Sequence, residues 1–256
     1  MSGETKNVCD ITVSSKEEEM KRIIAQHPCY SKEAQHKFGR IHLPVAPACN
    51  IQCNYCDRKF DCVNESRPGV TSEVLTPHEA LERTRQVLKD FPFIKVVAVA
   101  GPGDPLANDA TFETFRLIKA EFPEVTLCLS TNGLALPDRM PEIIDAGVDT
   151  LTVTLNAIDP AIEAQLISHA VYKGKVHKGV EAAEILIRNQ LAGIKMAVDA
   201  GIVVKINTVM VPGINDKHIV EVAKKINEMG VYIMNIMPLI CQAKFADMEP
   251  DRKSVV

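Results

Sequence analysis

The sequence predicts an α/β protein built on a parallel sheet, and three observations carry that prediction. Six short apolar or β-branched runs recur along the chain, and helical patterns separate them. The composition, 46% hydrophobic over 256 residues, suffices for one large core. Strands that alternate with helices imply right-handed crossovers between parallel neighbours. Six units are too few for a closed eight-stranded barrel, which leaves a partial barrel or an open doubly wound sheet.

Residues 1–40 are polar and read as an N-terminal extension, with a short helix over 17–26 followed by HPCYSKEAQHKFGR. The six strands are IHLPVAP (41–47), IKVVAVAG (94–101), VTLCLST (125–131), DTLTVTLNA (149–157), IVVKINTVMV (202–211) and VYIMNIMPL (231–239). Several are apolar on both faces, as a covered parallel sheet requires. Thr76-Pro77-His78-Glu79 reads as a helix start, with a capping threonine, proline at the first helical position and glutamate three residues after the cap. Gly147, Gly201 and Gly230 follow helical stretches, where a left-handed residue closes the helix. The main domain then spans 41–240, and 241–256 form a tail.

A net charge of −4 does not argue for a nucleic-acid partner. No apolar run is long enough for a membrane-spanning helix, and the polar, acidic start lacks the apolar core of a signal peptide. The expectation is a cytoplasmic protein without a membrane partner, in which the eight cysteines are thiols or metal ligands rather than disulfides. Six of them fall within the first 62 residues.

Ligands of such sheets bind at the C-terminal ends of the strands. There the chain places CNIQCNYC after the first strand, AGPGDPLAN (100–108) after the second and STNG (130–133) after the third. Asn156 and Asp159 follow the fourth strand, NTVMVPGIND ends the fifth, and Met237 stands at the end of the sixth. Gly, Pro and Asn are also ordinary turn residues, so the tips count through their agreement with the cysteine loop. Cys49, Cys53 and Cys56 follow C-x3-C-x2-C. Three thiolates can hold three irons of a 4Fe–4S cube and leave one iron open, whereas electron carriers use four. A four-cysteine zinc site that includes Cys62 is the alternative, but structural zinc sites pair two knuckles across a longer spacer, and this is one compact run. In VTLCLSTNG, alternation puts Cys128 on one face with Ser130 and Asn132, so the three share the lumen if any does.

The C-x3-C-x2-C loop, with Tyr55 before its last cysteine and at the end of the first of six βα units, resembles the radical S-adenosylmethionine (radical SAM) superfamily. The resemblance covers about residues 41–240 and implies a partial (β/α)6, TIM-like barrel with an N-terminal extension. It implies a 4Fe–4S cluster on Cys49, Cys53 and Cys56 whose open iron chelates the amino and carboxylate groups of SAM. Reductive cleavage of SAM there yields methionine and a 5′-deoxyadenosyl radical. By the same resemblance Gly101, Gly103 and Asp104 receive the methionine amine, and Ser130 and Asn132 face the carboxylate and ribose. Asn156 is placed for ribose, Asn207 and Val209 lie on the fifth strand, and Met237 offers backbone to adenine.

A closer resemblance, carried by HPCYSKEAQHKFGRIHLPVAPACNIQCNYCDRKFDCVNESRPGV with AGPGDPLAN and LCLSTNGLALP, is to the branch that builds the iron–sulfur–carbide precursor of the nitrogenase cofactor. It implies two further 4Fe–4S clusters as substrates, held by candidates His27, Cys29, Cys62 and Cys128. One SAM methylates them, and a second supplies the radical that strips hydrogen from that methyl. Glu65 is the candidate to move the protons shed on the way to carbide, or else it pairs with Arg67. The implied partners are an iron–sulfur cluster donor, an electron donor and a carrier or scaffold that takes the product. Members of that branch carry a C-x2-C beyond the barrel; none follows residue 240 here, which implies either a trimmed or short form or substitution by Cys9 and Cys241. Two rival readings stand beside this one: a radical SAM enzyme that acts on a peptide or small metabolite with auxiliary clusters, and a non-catalytic iron–sulfur carrier.

Overall fold

The computed structural model of the protein describes residues 8–59, 62 and 73–249, with side chains from residue 17 onward. The elements run α1 (Val8–Gln26), β1 (Gly39–His42), β2 (Ile51–Cys53), α2 (Pro77–Asp90), β3 (Ile94–Val99), α3 (Ala110–Glu121), β4 (Thr126–Thr131) and α4 (Leu136–Asp145). The second half continues with β5 (Thr150–Thr154), α5 (Pro160–Leu166), β6 (Ile167–Tyr172), β7 (Lys175–His177), α6 (Gly179–Asp199), β8 (Val203–Met210), α7 (Ile219–Glu228) and β9 (Ile233–Pro238).

All six predicted strands join one parallel sheet in chain order, β1-β3-β4-β5-β8-β9. Alternation sorts its two faces. Val97, Val99, Leu127, Leu129, Leu151, Val153, Val204 and Ile206 point outward into the main core. There they meet Leu81 of α2, Phe115 of α3, Ile143 of α4, Ile194 of α6 and Val222 of α7. Five helices on one face are the arrangement of a partial barrel, since a doubly wound sheet carries helices on both. The inward positions are small or polar, among them Ala98, Cys128, Ser130, Thr150, Thr152 and Thr154. A closed barrel packs bulky branched residues in that place.

Local signals hold where they were strongest. Thr76 forms the full capping box with Glu79, and Gly147, Gly201 and Gly230 take φ of 70°, 87° and 80°. Three details differ from expectation. The N-terminal helix begins at Val8 rather than Glu17. The first strand ends at His42 instead of running to Pro47, because Pro44 and Pro47 have no N–H for a ladder; only an isolated bridge between Ala46 and Pro102 continues it. A second, antiparallel sheet, β2-β6-β7, was not predicted. Its hairpin turns at Lys173 and Gly174, both at positive φ, and its first strand is only three residues long and lies inside the cysteine motif.

The turn after α1 closes the N-terminal end of the sheet. Ile23 and Tyr30 pack on Val203, the first residue of β8, and the Tyr30 hydroxyl donates to the carbonyls of Leu151 and Val203 at 3.4 Å each. Among the described residues no helix is long and apolar enough to cross a membrane.

Candidate active site at the C-terminal end of the sheet

The cysteine loop is held by backbone bonds on several sides. Ile51 to Cys53 pair with β6, which anchors the motif to the second sheet. Asn54 N–H donates to the Leu166 carbonyl at 2.8 Å, and Lys244 N–H to the Asn54 carbonyl at 3.0 Å. Gln52 Nε2 donates to the carbonyls of Cys53 (3.0 Å) and Cys56 (2.9 Å), while Arg58 donates to Gln52 Oε1 and to the Ile51 carbonyl. The backbone that carries Cys53 and Cys56 is thus held in place. Burial pushes all three thiols up, Cys49 to about 11, with the Asp104 charge adding there and the sulfurs of Cys49, Cys56 and Cys62 adding at Cys53. The Arg58 guanidinium works in the opposite direction at Cys49 and Cys56. A metal that binds them must take the place of protons.

The glycine loop is latched to the segment before Cys49. Gly103 N–H donates to the Ala46 carbonyl at 2.6 Å, and Asp104 N–H to the Ala48 carbonyl at 2.8 Å. A Cβ on Gly103 would stand 2.2 Å from the Ala48 oxygen, so only glycine fits. Asp104 is buried, and its carboxylate accepts from the Thr131 hydroxyl, from Asn132 N–H at 2.6 Å and from Leu106 N–H at 3.0 Å. Burial outweighs those bonds and moves its carboxyl upward. Asp104 therefore fixes Asn132, whose amide donates to Asn50 Oδ1 at 2.7 Å and reaches Cys49 Sγ at 3.8 Å.

Together these loops wall a cleft of roughly 500 Å³, counted with its open mouth. Cys49, Cys53, Cys56, Cys62, Gly103, Asp104, Ser130 and Asn132 are expected residues found on its lining; Arg58, Thr131 and Thr154 were not anticipated. Inward alternation along TLTVT would have found Thr154. Gly101 adjoins the cleft, and a Cβ on it would meet Cys62 Cβ at 3.9 Å. Cys62 thus shares the cleft with the three loop cysteines.

Tyr55, Asn156 and Val209 form a brace beside the cleft rather than part of its lining. Asn156 Nδ2 donates to the Tyr55 hydroxyl at 2.8 Å, and its Oδ1 accepts from Val209 N–H at 2.9 Å. Met237 packs against the apolar cluster that holds Tyr55 and Val209, and Asn207 faces Asn235 one strand over. Cys241 packs there too and donates to the Met248 carbonyl at 2.7 Å. Glu163 is buried nearby; burial pushes its carboxyl up to about 8, against a hydrogen bond from Ala157 N–H, and its Oε2 has no partner among the described residues.

The other candidates lie toward the opposite end of the lumen. Cys128 is buried against Val96 and Ala98 on the inward face, one rung, or about 7 Å, below Ser130. Cys29 follows α1, and its sulfur accepts from the Arg40 guanidinium. His27 is 1% exposed; its Nδ1 accepts from Cys29 N–H at 3.1 Å, and its Nε2 has no partner among the described residues. Burial first, then the charges of Lys205, Arg40 and His42, push the imidazole down to about 3. With Nδ1 accepting, neutral His27 carries its proton on Nε2, so it can ligate a metal through Nε2 only if that hydrogen bond is given up. Glu65 with Asn64, Ser66 and Arg67, and the side chain of Cys9, lie outside the described residues.

The Radical SAM superfamily model matches residues 43–226. The chain belongs to the radical SAM superfamily. Among curated relatives it is 50% identical over 239 residues to the FeMo cofactor biosynthesis protein NifB of Klebsiella pneumoniae, a match covering 90% of this chain and 51% of that protein. It is 47% identical over 226 residues to NifB of Azotobacter vinelandii, which covers 88% and 45%. The chain spans about half the length of the curated relatives it matches. Among solved structures it resembles methylornithine synthase (PylB), with a TM-score of 0.57 at 17% identity over 93% of this chain and 65% of that one. It also resembles Streptococcus suis SuiB bound to S-adenosylmethionine, with a TM-score of 0.55 at 13% identity over 92% and 45%. These two likenesses bear out the partial-barrel fold.

Radical SAM membership implies a 4Fe–4S cluster and SAM, and the donor set fits them. Three thiols project from one braced loop into a cleft whose other walls are glycine backbone, hydroxyls and an amide. In a cube each of the three cysteines takes a different iron.

Proposed function

We propose that the chain carries the catalytic barrel of a NifB-type enzyme, a lyase-type radical SAM protein. It fuses two 4Fe–4S clusters around a SAM-derived carbide to give NifB-co, the precursor of the nitrogenase cofactor. The observation that carries this reading is the identity of about half, along nearly the whole chain, with FeMo cofactor biosynthesis proteins. The thiols outside the SAM trio support it, because a barrel that only cleaved SAM would need three. When bound on Cys49, Cys53 and Cys56, the cluster supplies the electron that splits SAM. The chain's own residues then have distinct tasks. The latched backbone of Gly101 and Gly103 receives the methionine amine, and Asp104 holds Asn132 toward the carboxylate. The Tyr55–Asn156–Val209 brace keeps the cysteine loop registered against the strands. Cys29, Cys62 and Cys128 hold the substrate clusters, with His27 as a more readily exchanged ligand, and Glu65 moves protons. The working context is the cytoplasm, with a cluster donor, an electron donor and a product carrier as partners.

Anaerobic iron counting after reconstitution tests the reading. About twelve irons per chain support it, and a stable count near four contradicts it. Cleavage of SAM under dithionite separates an enzyme from a passive carrier. Cleavage with about four to eight irons, and no fused cluster, would favour an enzyme acting on a peptide or small metabolite.

A further inference from the structure

We propose that Lys205 and Arg40 are positioning residues whose charges stabilise the reduced, anionic state of an iron–sulfur cluster held by Cys29 and Cys128 in the N-terminal half of the lumen. The proposal rests on the reading above that a cluster binds there, and it adds what recognises that cluster. Lys205 stands on the inward face of β8, in the cross-strand row of Thr152 and Ser130. It is 6% exposed, and its ammonium lies 5.9 Å from the Tyr30 ring centroid, so the side chain leans toward the closed end of the sheet. Among the described residues it has no acidic partner and no hydrogen bond. The Nζ atom is not among the fully buried polar atoms without a partner, so it keeps access to the lumen, where an anion can reach it.

A second observation points the same way. Inward positions on the six strands include Arg40, His42 and Lys205, and none is Asp or Glu. Arg40, likewise without an acidic partner among the described residues, donates to Cys29 Sγ, an atom that would bond iron. The fully buried His27 Nε2, unpartnered among the described residues, belongs to the same group, since Lys205, Arg40 and His42 all act on its ring. Cations with no carboxylate around small inward side chains and two thiols describe a seat for a negatively charged body. On the two thiolates of Cys29 and Cys128 a 2+ cube is neutral overall, and one-electron reduction makes it an anion. Lys205 and Arg40 therefore favour the reduced state of the cluster.

The test uses the full chain with Cys49, Cys53 and Cys56 all replaced by alanine, so that the SAM cluster is absent and only the substrate clusters remain. That protein is reconstituted anaerobically and titrated by electron paramagnetic resonance, with and without Lys205→Met. The expected result is an oxidised-to-reduced ratio raised at least tenfold at fixed potential, which is 59 mV for one electron, or loss of the cluster iron. Lys205→Arg should restore the parent behaviour. The apo Lys205→Met chain should melt no lower than its parent, since no ion pair is lost among the described residues. An unchanged ratio and unchanged iron overturn the proposal, as does a lower apo melting point with unchanged cluster properties, which marks a structural lysine on Tyr30. If the triple-alanine parent binds no iron, the two-site reading itself fails, whatever Lys205 does.

Discussion

The two ends of the lumen are built differently. At the C-terminal mouth, Cys53 and Cys56 sit on backbone whose carbonyls and amides are bonded to Gln52, to β6 and to the segment around Lys244, and Gly103 is pressed against Ala48. At the N-terminal end, Cys29 is held by a turn and a guanidinium, His27 keeps an unused ring nitrogen among the described residues, and Lys205 reaches the Tyr30 ring. A resident cofactor profits from the first design, where the backbone around its ligands is braced before binding. A substrate that must enter, change and leave suits the second, where the polar groups are satisfied only when it is present.

The comparison can be broken most sharply at the mouth. Cys53→Ala should reduce 5′-deoxyadenosine formation under dithionite to background; full activity would refute the three-cysteine assignment. At the other end, Cys128→Ala should leave SAM cleavage in place while iron falls by about four per chain and no fused cluster forms. Unchanged iron and product would make Cys128 a core residue beside Val96 and Ala98. Gly103→Ala sharpens the claim of a rigid mouth. Its Cβ would strike the Ala48 carbonyl, so the denaturation midpoint should show a loss of about 3 kcal/mol and SAM should bind at least tenfold more weakly. Wild-type affinity and stability would mean that the latch yields easily.

A pH-dependent effect on stability lies beside the brace. Glu163 has its ordinary carboxyl value of 4.5 raised to about 8 in the fold. Between those values the unfolded chain has lost this proton and the native chain still holds it, so stability falls as pH rises through that window. Glu163→Gln does not titrate. Its advantage over the wild type should be absent below pH 4.5, grow toward pH 8 and level off there, at a size on the order of a few kcal/mol. Denaturant titrations at acidic and alkaline pH with the same difference would show that the carboxyl is not raised.

The sheet was legible because its strands are long, apolar and regularly punctuated. The second sheet was not, since Ile51–Cys53 is too short for any period and is masked by the cysteine motif. In the site, residue types at strand tips located the cleft, and alternation put Cys128 below Ser130. Sequence could not tell which polar groups the fold itself consumes. Asp104 and Asn156 stood where ligand contacts were expected, yet Asp104 bonds Thr131 and Asn132, and Asn156 bonds Tyr55 and Val209. Lys205 went unnoticed inside IVVKINTVMV, although the same alternation that placed Cys128 puts it on the inward face.

The central claim is that one lumen holds a radical source at its mouth and the clusters it acts on beneath. Electron paramagnetic resonance of the fully reconstituted chain, before and after SAM addition, tests it most directly. The account predicts that signals of the substrate clusters vanish as SAM is consumed and that a new species appears. Substrate-cluster signals that persist unchanged while SAM is cleaved would contradict it.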